Sequence, residues 1–478
     1  MTAASRPIRL LRWPQATTAA LVGCGAVTVA TYIYAYAVRP GMMAVFPFRD
    51  LLAVQAVSFA CAAWVVLTGR VTKVAFAVIL AVAMLCRVLL VLGPLTFSTD
   101  VYRYIWDGRV QGLGINPYQY IPADPALVHL RDTVVYPRIN RRDYAHTIYP
   151  PLAEGIFLAV ARISPTVTGM KAAMIGFEAM TIWALCSLLR RLGLPRGRVL
   201  LYAWHPLVLW QLAGDGHIDA AAITFVVLAF LAHLRRWEAL TGAALGCATL
   251  VKLYPLVLFP ALYRRWDWKM PAALGATIAA GYLPYLRVGT GVIGFLPGYA
   301  REEGLLTGQR FFLLNLARLT GAAVPTAAYA GAALLVLLAI GYRVQRERQR
   351  SAVGDVRAGA LLAAALVVLF STHYLWYFAW VVPFLCVAPT AAFLYLTGAA
   401  TFLHWSVGYR SFFGLQGEMP AFDVALYVPF ALCLVGEPLA RSFLARRPAG
   451  GPWIPASGDP ARMAAPAGWY AGEDANGR

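Results

Sequence analysis

Uninterrupted apolar runs of 18 or more residues recur along most of this chain, and they constrain its fold more than any other feature. Each run is long enough to cross a hydrocarbon layer of about 30 Å as a single helix. Of the 478 residues, 60% are hydrophobic and only 13% are charged. The sequence therefore predicts an all-α, polytopic membrane protein.

The charge distribution argues against a nucleic-acid partner, although the formal net charge is +19. The arginines are concentrated in every second short loop between the apolar runs, hence on one side of the membrane, as the positive-inside rule describes. The tail of the chain carries no dense basic tract of the nucleic-acid type. The seven cysteines fall singly inside predicted spans, which is typical of small packing residues rather than of a disulfide framework or a metal site.

The basic loops predict about 12 transmembrane helices plus a re-entrant half-helix pair and outer-surface amphipathic helices. The predicted spans are 17–38, 51–69, 74–93, 167–189, 199–213, 218–234, 270–286, 322–341, 357–371, 374–388, 390–407 and 422–440. We expect residues 1–445 to form one integral-membrane domain with a large outer loop at 94–166, which includes a short surface helix at 152–164. Residues 446–478 are rich in Pro, Gly, Ala and Ser and are predicted to be a disordered cytoplasmic tail. The N-terminal run is too long for a cleaved signal peptide, so we expect an uncleaved first span with the N-terminus in the cytoplasm. The C-terminal tail is expected on the same side.

Segment 239–263 starts after one basic cytoplasmic mark and ends before another, yet it is too short to cross the membrane twice. We predict two half-length helices, 239–250 and 254–263, with Pro255 breaking the run. Such backbone is tolerated at membrane depth where it is buried in protein or lines a cavity. It would place Lys252 near membrane depth, where an ammonium marks a functional site by default. The alternative is a lysine that snorkels to the cytoplasmic edge.

The stretch FSTDVYRYIWDGRVQGLGINPYQY, residues 97–120, breaks the apolar pattern just after the third predicted span. If 98–110 is helical, four of its residues share one face. They are Asp100, Arg103, Tyr104 and Asp107. The two aspartates would be roughly 10 Å apart, which is too far to bind one metal ion together. The alternative is an interfacial helix whose Asp–Arg pairs satisfy each other beside a belt of aromatic side chains.

Two further polar groups lie near predicted span ends. AGDGHIDA carries Asp215, His217 and Asp219, although an ordinary polar turn would also explain its glycines, and a metal site would need more ligands. A set of outer arginines runs against the positive-inside rule: Arg138, Arg141, Arg142, Arg301 and Arg310. Together with Lys252 they could hold an anionic headgroup such as a phosphate.

These groups together suggest a chemistry at one outer mouth. Carboxylates can take a proton from a hydroxyl, cations can stabilise a phosphate leaving group, and aromatic faces suit sugar rings. The combination favours sugar transfer from a polyprenyl-phosphate donor to an acceptor hydroxyl. A secondary transporter or a flippase of a lipid-linked sugar is the alternative, because an intramembrane lysine and a broken hairpin also occur in transporters.

Five motifs carry a family resemblance: TDVYRYIWDGRVQGLGINPYQYIP, YPPLAE, GHIDA, LVKLYPLVLFPALYRRW and STHYLWYFAWVVPF. In order and spacing they resemble integral-membrane glycosyltransferases of the GT-C superfamily, in particular the bacterial and PIG-M-like mannosyltransferases that use polyprenol-phosphate mannose. The resemblance covers about residues 90 to 390 and implies an inverting hexosyltransferase with its catalytic carboxylate in the first large outer loop. By position that residue is Asp100, with Asp107 as a second carboxylate and Lys252 facing the donor phosphate. Here a hairpin at 17–69 precedes the loop, whereas in the family the loop often follows the first span.

The predicted site residues therefore fall into two groups. Asp100 and Asp107 are predicted to be catalytic. The predicted substrate-binding residues are Arg103, Tyr104, Trp106, Arg109, Asn116, Tyr118, Tyr149, His217, Asp219, Lys252, Tyr254 and His373. The sequence indicates no definite cofactor, and a divalent metal with Asp100 as its candidate ligand stays open, because some members of the resembled family use one and others do not.

The expected partners are a polyprenyl-phosphate sugar donor, a lipid-linked or cell-envelope glycan acceptor, and membrane lipids, without nucleic acid. The composition is rich in arginine and alanine, and lysine appears only four times, which is typical of a bacterium with GC-rich coding. We therefore expect a multi-pass protein of the inner (plasma) membrane whose active site faces the periplasm or the exterior.

Overall fold

The computed structural model describes residues 14–38, 45–309, 311–347, 350–370, 374–402 and 420–446. Within these ranges the ordered elements are all helical and none is a β-strand, which confirms the predicted all-α class. The predicted tail at 446–478, apart from its first residue, lies outside the described residues.

The α-helices follow one another along the whole described chain. In order they are α1 (Pro14–Val38), α2 (Val45–Thr68), α3 (Lys73–Leu92), α4 (Asp100–Gly112), α5 (Pro151–Ile163), α6 (Val167–Arg191), α7 (Leu200–Ala203), α8 (Pro206–Val208), α9 (Asp219–Leu234), α10 (Glu238–Val251), α11 (Phe259–Leu262), α12 (Lys269–Tyr282), α13 (Leu296–Glu302), α14 (Phe312–Leu319), α15 (Thr326–Arg346), α16 (Ala352–Phe370), α17 (Trp376–Ala379), α18 (Val382–Val387), α19 (Ala391–Ala400) and α20 (Pro420–Arg446). Shorter segments with 3₁₀ geometry are Pro125–Leu130, Tyr136–Arg138, Arg196–Val199, Tyr254–Leu258 and Leu283–Ile293, and Leu209–Gly214 has π-helical geometry.

Six helices of the described part are long and apolar enough to cross a membrane: α1, α2, α3, α6, α15 and α16. A seventh crossing results if Pro206–Gly214 and Asp219–Leu234, which meet at a bend of 119°, form one broken span. The predicted count of about 12 spans is therefore not confirmed. The reason is that several apolar stretches of the second half form short or interrupted helices instead of continuous ones.

The predicted span 199–213 shows how such an interruption arises. It is divided into α7, α8 and the π-helical segment that follows. Pro206 lacks the backbone N–H that a continuing helix would need. His205 accordingly adopts an extended conformation with φ −62° and ψ 122°, the geometry favoured before a proline. The returning span predicted at 218–234 is continuous and corresponds to α9.

The predicted re-entrant pair at 239–263 is only partly reproduced. Its first half is α10, which ends where Lys252 adopts an extended backbone with φ −146° and ψ 141°. Its second half, predicted as one helix at 254–263, is a 3₁₀ segment followed by the four residues of α11. The break next to Pro255 stands where the sequence predicts it, so Lys252 lies at an interruption of the helix.

The later predicted spans differ from the structure mainly in their ends and continuity. The span predicted at 374–388 is divided into α17 and α18, and the one at 390–407 ends as α19 at Ala400. The remaining predictions at 270–286, 322–341, 357–371 and 422–440 correspond to α12 with its 3₁₀ extension, α15, α16 and α20.

The segments 98–110 and 152–164, for which the sequence suggests helices, form α4 and α5, and the two helices pack tightly against each other. At Gly108 of α4 a Cβ atom would meet the carbonyl oxygen of Phe157 at 2.4 Å, so the two backbones approach as closely as glycine permits. One turn earlier, the Tyr104 ring stacks on the Phe157 ring with centroids 4.4 Å apart. This contact fixes where the first turn of α4 points.

A buried ion pair, which the sequence did not indicate, connects α3 with α6 in the interior. Arg87 Nη2 lies 2.7 Å from Glu178 Oε1, and both side chains are fully buried. The same guanidinium donates to the carbonyl of Ala203 at 2.9 Å. Three elements are thus held together by one pair of charges.

Candidate active site

A cavity of ≈ 230 Å³ opens at the N-terminal end of α4. Four of the predicted site residues line it: Asp100, Arg103, Tyr149 and Lys252. Its other walls come from the segment 140–148, from Tyr299 and from the aromatic residues at 374–377. Segments that are far apart in the sequence therefore meet in one polar chamber.

Asp100 is the first residue of α4, and its carboxylate faces the cavity. Asn140 Nδ2 donates to one carboxylate oxygen at 2.6 Å, and the other oxygen lies 3.9 Å from His217 Nδ1. Burial raises the pKa of Asp100 above its ordinary value, while the Lys252 charge and the Asn140 hydrogen bond oppose that rise. A carboxylate in this state is a stronger base than an exposed one.

The segment that delivers Asp100 to the cavity is held from two sides. Lys171 Nζ donates to the carbonyls of Leu90 and Gly93, at 2.5 and 2.8 Å, where α3 ends. Asp215 accepts hydrogen bonds from the backbone N–H groups of Thr96 and Phe97, with nearest distances of 2.7 and 3.0 Å. Asp215, which directly precedes GHIDA, and Lys171 of α6 thus position the segment that carries Asp100, a role that the motif alone did not indicate.

Lys252 forms an ion pair at the cavity wall, as the break after α10 allows. Its Nζ lies 3.3 Å from Asp219 Oδ2, and Asp219 Oδ1 accepts a hydrogen bond from the Tyr254 hydroxyl at 3.0 Å. The ammonium also lies 5.6 Å from the ring centroid of Tyr149 and 5.5 Å from that of Tyr377. The structure therefore brings together the predicted residues Asp219, Lys252, Tyr254 and Tyr149.

Stacked aromatic rings form the wall beside Lys252. His217 stacks on Trp376 with centroids 4.2 Å apart, and Trp376 stacks on Tyr374 at 4.5 Å. The hydroxyls of Tyr299 and Tyr377 lie 3.2 Å apart. Flat aromatic faces next to a carboxylate suit the ring of a sugar. His373, the last predicted binding residue, lies outside the described residues.

Arg141 is a cavity-lining member of the predicted set of outer cations. It has a positive φ of 54°, which is uncommon for a residue other than glycine. Its guanidinium lies 2.5 Å from Glu302 and 3.6 Å from Glu303, so two carboxylates balance its charge. The other members are placed elsewhere: Arg138, Arg142 and Arg301 are outside the cavity lining, and Arg310 is outside the described residues.

Asp107 does not line this cavity, although it shares the α4 face with Asp100. Both of its carboxylate oxygens accept from Arg103 Nε at 2.8 Å, and only 2% of the side chain is exposed. Behind this pair lies Glu154, which accepts from Gln111 at 2.8 Å and from Thr147 at 2.6 Å. Burial raises the pKa of Asp107 and of Glu154, and the Asp107 carboxylate raises that of Glu154 further. The hydrogen bonds from Gln111 of α4 to Glu154 of α5 connect the two helices.

Three predicted binding residues lie outside the cavity lining and contact other parts of the protein. Tyr104 is fully buried between Tyr149 and Phe157. Trp106 is buried with its ring 5.6 Å from that of Tyr136. Arg109 forms an ion pair with Asp132 at 2.5 Å and donates to the carbonyl of Pro165 at 3.2 Å.

A second cavity of ≈ 1070 Å³ lies at the C-terminal end of α4. The predicted residues Asn116 and Tyr118 line it, together with Gln119 and Tyr285. His146 lines both cavities and thus marks their junction. Burial and the nearby Arg103 charge lower the pKa of His146, which favours a neutral imidazole there.

The described residues do not form a ready metal site. Within the ranges that the structure describes, no group of three or more His, Cys, Asp or Glu side chains is arranged to hold a metal ion. Asp100 is instead bonded to the Asn140 amide. The divalent metal that the sequence leaves open therefore has no ligand set among these residues.

Several cavity residues were not found by sequence reasoning. Asn140 stands among arginines in a loop without a motif, so no pattern could connect it with Asp100, which lies 40 positions earlier. Trp376 and Tyr377 lie in the STHYLWYFAWVVPF motif, which pointed to the segment but not to the rings that face the cavity. Tyr299 carried no signal in the sequence.

Comparison with known protein families indicates sugar transfer. A family model described as "MptA_B family: alpha-(1->6)-mannopyranosyltransferase, N-terminal domain" matches residues 16–267. No curated protein and no solved structure matches the chain. The matched part includes Asp100 and Lys252, whereas the aromatic wall at 374–377 lies beyond it.

Proposed function

This chain belongs to the MptA_B family of alpha-(1->6)-mannopyranosyltransferases, and we propose that it moves a mannosyl residue from a polyprenyl-phosphate donor to a hydroxyl of a lipid-linked or cell-envelope glycan. The observation that carries the proposal is the shared cavity of Asp100 and Lys252 beside the stacked rings of Trp376 and Tyr374. A base, a cation and a sugar-sized aromatic wall meet there, as such a transfer requires.

In the proposed reaction, the acceptor oxygen attacks C1 of the mannosyl group while the bond between C1 and the phosphate oxygen breaks. Asp100 takes the proton from the acceptor hydroxyl, and the bonding electrons leave with the polyprenyl phosphate. Lys252 stabilises the additional negative charge on the departing phosphate. Asp219 holds the ammonium in place at 3.3 Å, so the cation is oriented before the donor arrives.

The proposed stereochemistry follows from a single displacement. Attack from the side opposite to the leaving phosphate inverts the configuration at C1. An enzyme that forms an alpha-(1->6) bond in this way must therefore use a donor whose mannose is β-linked to the phosphate. We expect an α-linked donor analogue to be inert.

The sizes of the two cavities support a division between donor and acceptor. The ≈ 230 Å³ cavity lies below the range of about 300–1,000 Å³ that is common for larger ligands, so it suits one sugar phosphate. The ≈ 1070 Å³ cavity has room for further sugars of an acceptor chain. Amide and phenol groups of Asn116, Gln119 and Tyr285 offer hydrogen bonds to sugar hydroxyls, and His146 connects the cavities.

The proposed location is the inner membrane of a bacterium, with the cavity facing the periplasm or the exterior. The candidate spans and the alternation of basic loops support this orientation. A lipid environment also suits a donor whose carrier is a polyprenyl chain.

The test is transfer of radiolabelled mannose from polyprenyl-phosphate mannose by the purified full-length protein in liposomes that contain a membrane lipid extract as acceptor. We predict that Asp100→Asn lowers the rate by about 10²- to 10⁴-fold, because removing a general base typically costs this much. Asp143→Asn is the matched control, since its side chain is 70% exposed on the same loop, and it should keep the wild-type rate.

Each outcome has a defined meaning. Label that enters a new product with wild type and with Asp143→Asn, but not with Asp100→Asn, supports both the reaction and the base. Full activity of Asp100→Asn would exclude this carboxylate as the base. Absence of transfer with any polyprenyl-phosphate sugar, together with solute or lipid-linked sugar movement across the liposome, would favour a transporter or a flippase instead.

A further inference from the structure

An apolar groove of ≈ 630 Å³ lies at a different place in the fold, between α15, α16, α20 and the segment 387–393. One face of α16 forms its floor with residues at helical spacing: Ala360, Leu361, Ala364, Ala365, Val368 and Leu369. Three of the six are alanines, whose small side chains keep the floor low. The walls of the groove carry larger apolar side chains.

The walls show which kind of molecule the groove suits. Val336 and Ile340 face it from α15, and Phe430 and Leu434 face it from α20, each pair separated by one helical turn. Phe393 adds a further ring. An apolar channel of this kind favours a hydrocarbon chain over a polar ligand.

Two arginines distinguish one end of the groove. Arg357 lies on the second turn of α16, and Arg198 lies in the 3₁₀ segment after α6. Arg198 Nη1 is 3.5 Å from the carbonyl oxygen of Val387, which is at the limit of a hydrogen bond. Neither Arg198 nor Arg357 forms an ion pair with a described residue. The described groove lining contains no Asp or Glu. An anion at this end would therefore meet two available guanidinium groups.

The charged end is far from the candidate active site. The active-site rings Tyr374 and Trp376 follow the C-terminal end of α16, whereas Arg357 lies near its N-terminal end. The 13 residues from Arg357 to Phe370 span about 20 Å at 1.5 Å per residue. A phosphate held by the two arginines is thus separate from the donor phosphate at Lys252.

We propose that this groove binds an anionic phospholipid, with an acyl chain along α16 and the headgroup phosphate between Arg198 and Arg357. From Arg357 to Leu369 the groove extends for about 18 Å, which gives a chain a continuous apolar path. Guanidinium groups bind phosphate oxygens in pairs, and basic pockets between membrane helices are known binding places for anionic headgroups. Both arginines follow loops that the sequence predicts to be cytoplasmic, so the lipid belongs to the inner leaflet. The inference goes beyond the proposed transfer reaction and does not depend on it.

The test is native mass spectrometry of the delipidated full-length protein, titrated with phosphatidylglycerol or with phosphatidylcholine of the same acyl chains. Wild type should retain phosphatidylglycerol in preference to phosphatidylcholine. Arg198→Gln and Arg357→Gln should each weaken phosphatidylglycerol binding by about fivefold, and the double variant by about 25-fold, if each arginine contributes about as much as a basic residue near an anionic membrane surface. Ala365→Trp, which fills the floor, should weaken the binding of phosphatidylglycerol without removing either charge.

Arg343→Gln is the charge-matched control, because Arg343 is exposed in the last turn of α15 and lies outside the groove lining. It should bind like wild type. Equal retention of the two lipids by wild type, or an equal loss in Arg343→Gln, would overturn the proposal. Displacement of bound phosphatidylglycerol by polyprenyl phosphate at the same two arginines would also overturn it, because the groove would then belong to the donor.

Discussion

The basicity of Asp100 depends on its burial and on two neighbouring groups. Burial favours the neutral acid, whereas the Lys252 charge and the Asn140 amide favour the carboxylate. The net pKa shift is upward from an ordinary value of about 3.9. Asn140 is therefore a positioning residue that we expect to keep the base deprotonated without touching the substrate sugar.

Replacement of Asn140 by alanine should move the acid limb of the pH–rate profile to higher pH. A general base works only when it is deprotonated, so the rate rises as pH passes through its pKa. Loss of a hydrogen bond to the charged form removes about 1.5–3 kcal/mol, which corresponds to a rise of about one pH unit or more in that limb. The measurement is kcat/KM for mannosyl transfer against pH. Asn315→Ala is the control, since the Asn315 side-chain amide donates to the Gln309 carbonyl and lies outside the cavity lining. An unchanged limb in Asn140→Ala would remove its assigned role.

Single residues also show where sequence reasoning stops. The i, i+4 spacing correctly predicts that Arg103 and Asp107 share a face of α4, but the same spacing lets them pair with each other. A pattern cannot distinguish a carboxylate that faces a cavity from one that a neighbour already binds. Asp100 lacks such a partner four residues later, and it does face the cavity.

At the scale of elements, the placement of α4 decides whether Asp100 reaches the cavity. The contact with α5 at Gly108 holds α4 itself. The segment before α4 is held by Lys171, which donates hydrogen bonds to it, and by Asp215, which accepts hydrogen bonds from it. The sequence predicted the helix at 152–164 from its proline and acidic first turn, and it gave a helix at 98–110 only as the condition for a shared polar face. It did not predict their close approach, because glycine at 108 has no signal of its own without knowledge of Phe157.

Gly108→Ala should destabilise the protein and lower transfer together. The new Cβ would lie 2.4 Å from the Phe157 carbonyl oxygen, so α4 must move away from α5, and overpacking of this kind typically costs about 1–3 kcal/mol. Gly112→Ala is the matched control on the same helix, because nothing lies within 4 Å of its added Cβ. Thermal unfolding in detergent should show a lower Tm for Gly108→Ala and an unchanged or higher Tm for Gly112→Ala. Equal Tm values for Gly108→Ala and wild type would contradict the close contact.

At the scale of the whole molecule, the candidate site exists only because distant segments meet. Asp100, Asn140, Lys252 and Tyr377 line one cavity across nearly 280 positions of sequence. The family resemblance indicated three of these segments, because its motifs contain Asp100, Lys252 and Tyr377. The number of spans could not be predicted in the same way, because prolines and short helices interrupt apolar stretches that hydropathy alone treats as continuous.

The buried pair of Arg87 and Glu178 supplies a test of how the whole bundle is held together. Arg87→Met alone should strongly destabilise the fold, by about 3–5 kcal/mol, because it leaves the Glu178 charge buried without its partner. The double variant Arg87→Met/Glu178→Met should recover much of that loss, since apolar side chains of similar size can replace a buried ion pair at little cost. Thermal unfolding of the two single variants and the double variant gives the coupling energy directly. If the double variant were as unstable as the sum of the single ones, the two charges would not interact, and the hydrogen bond from Arg87 to the Ala203 carbonyl would be the more important contact.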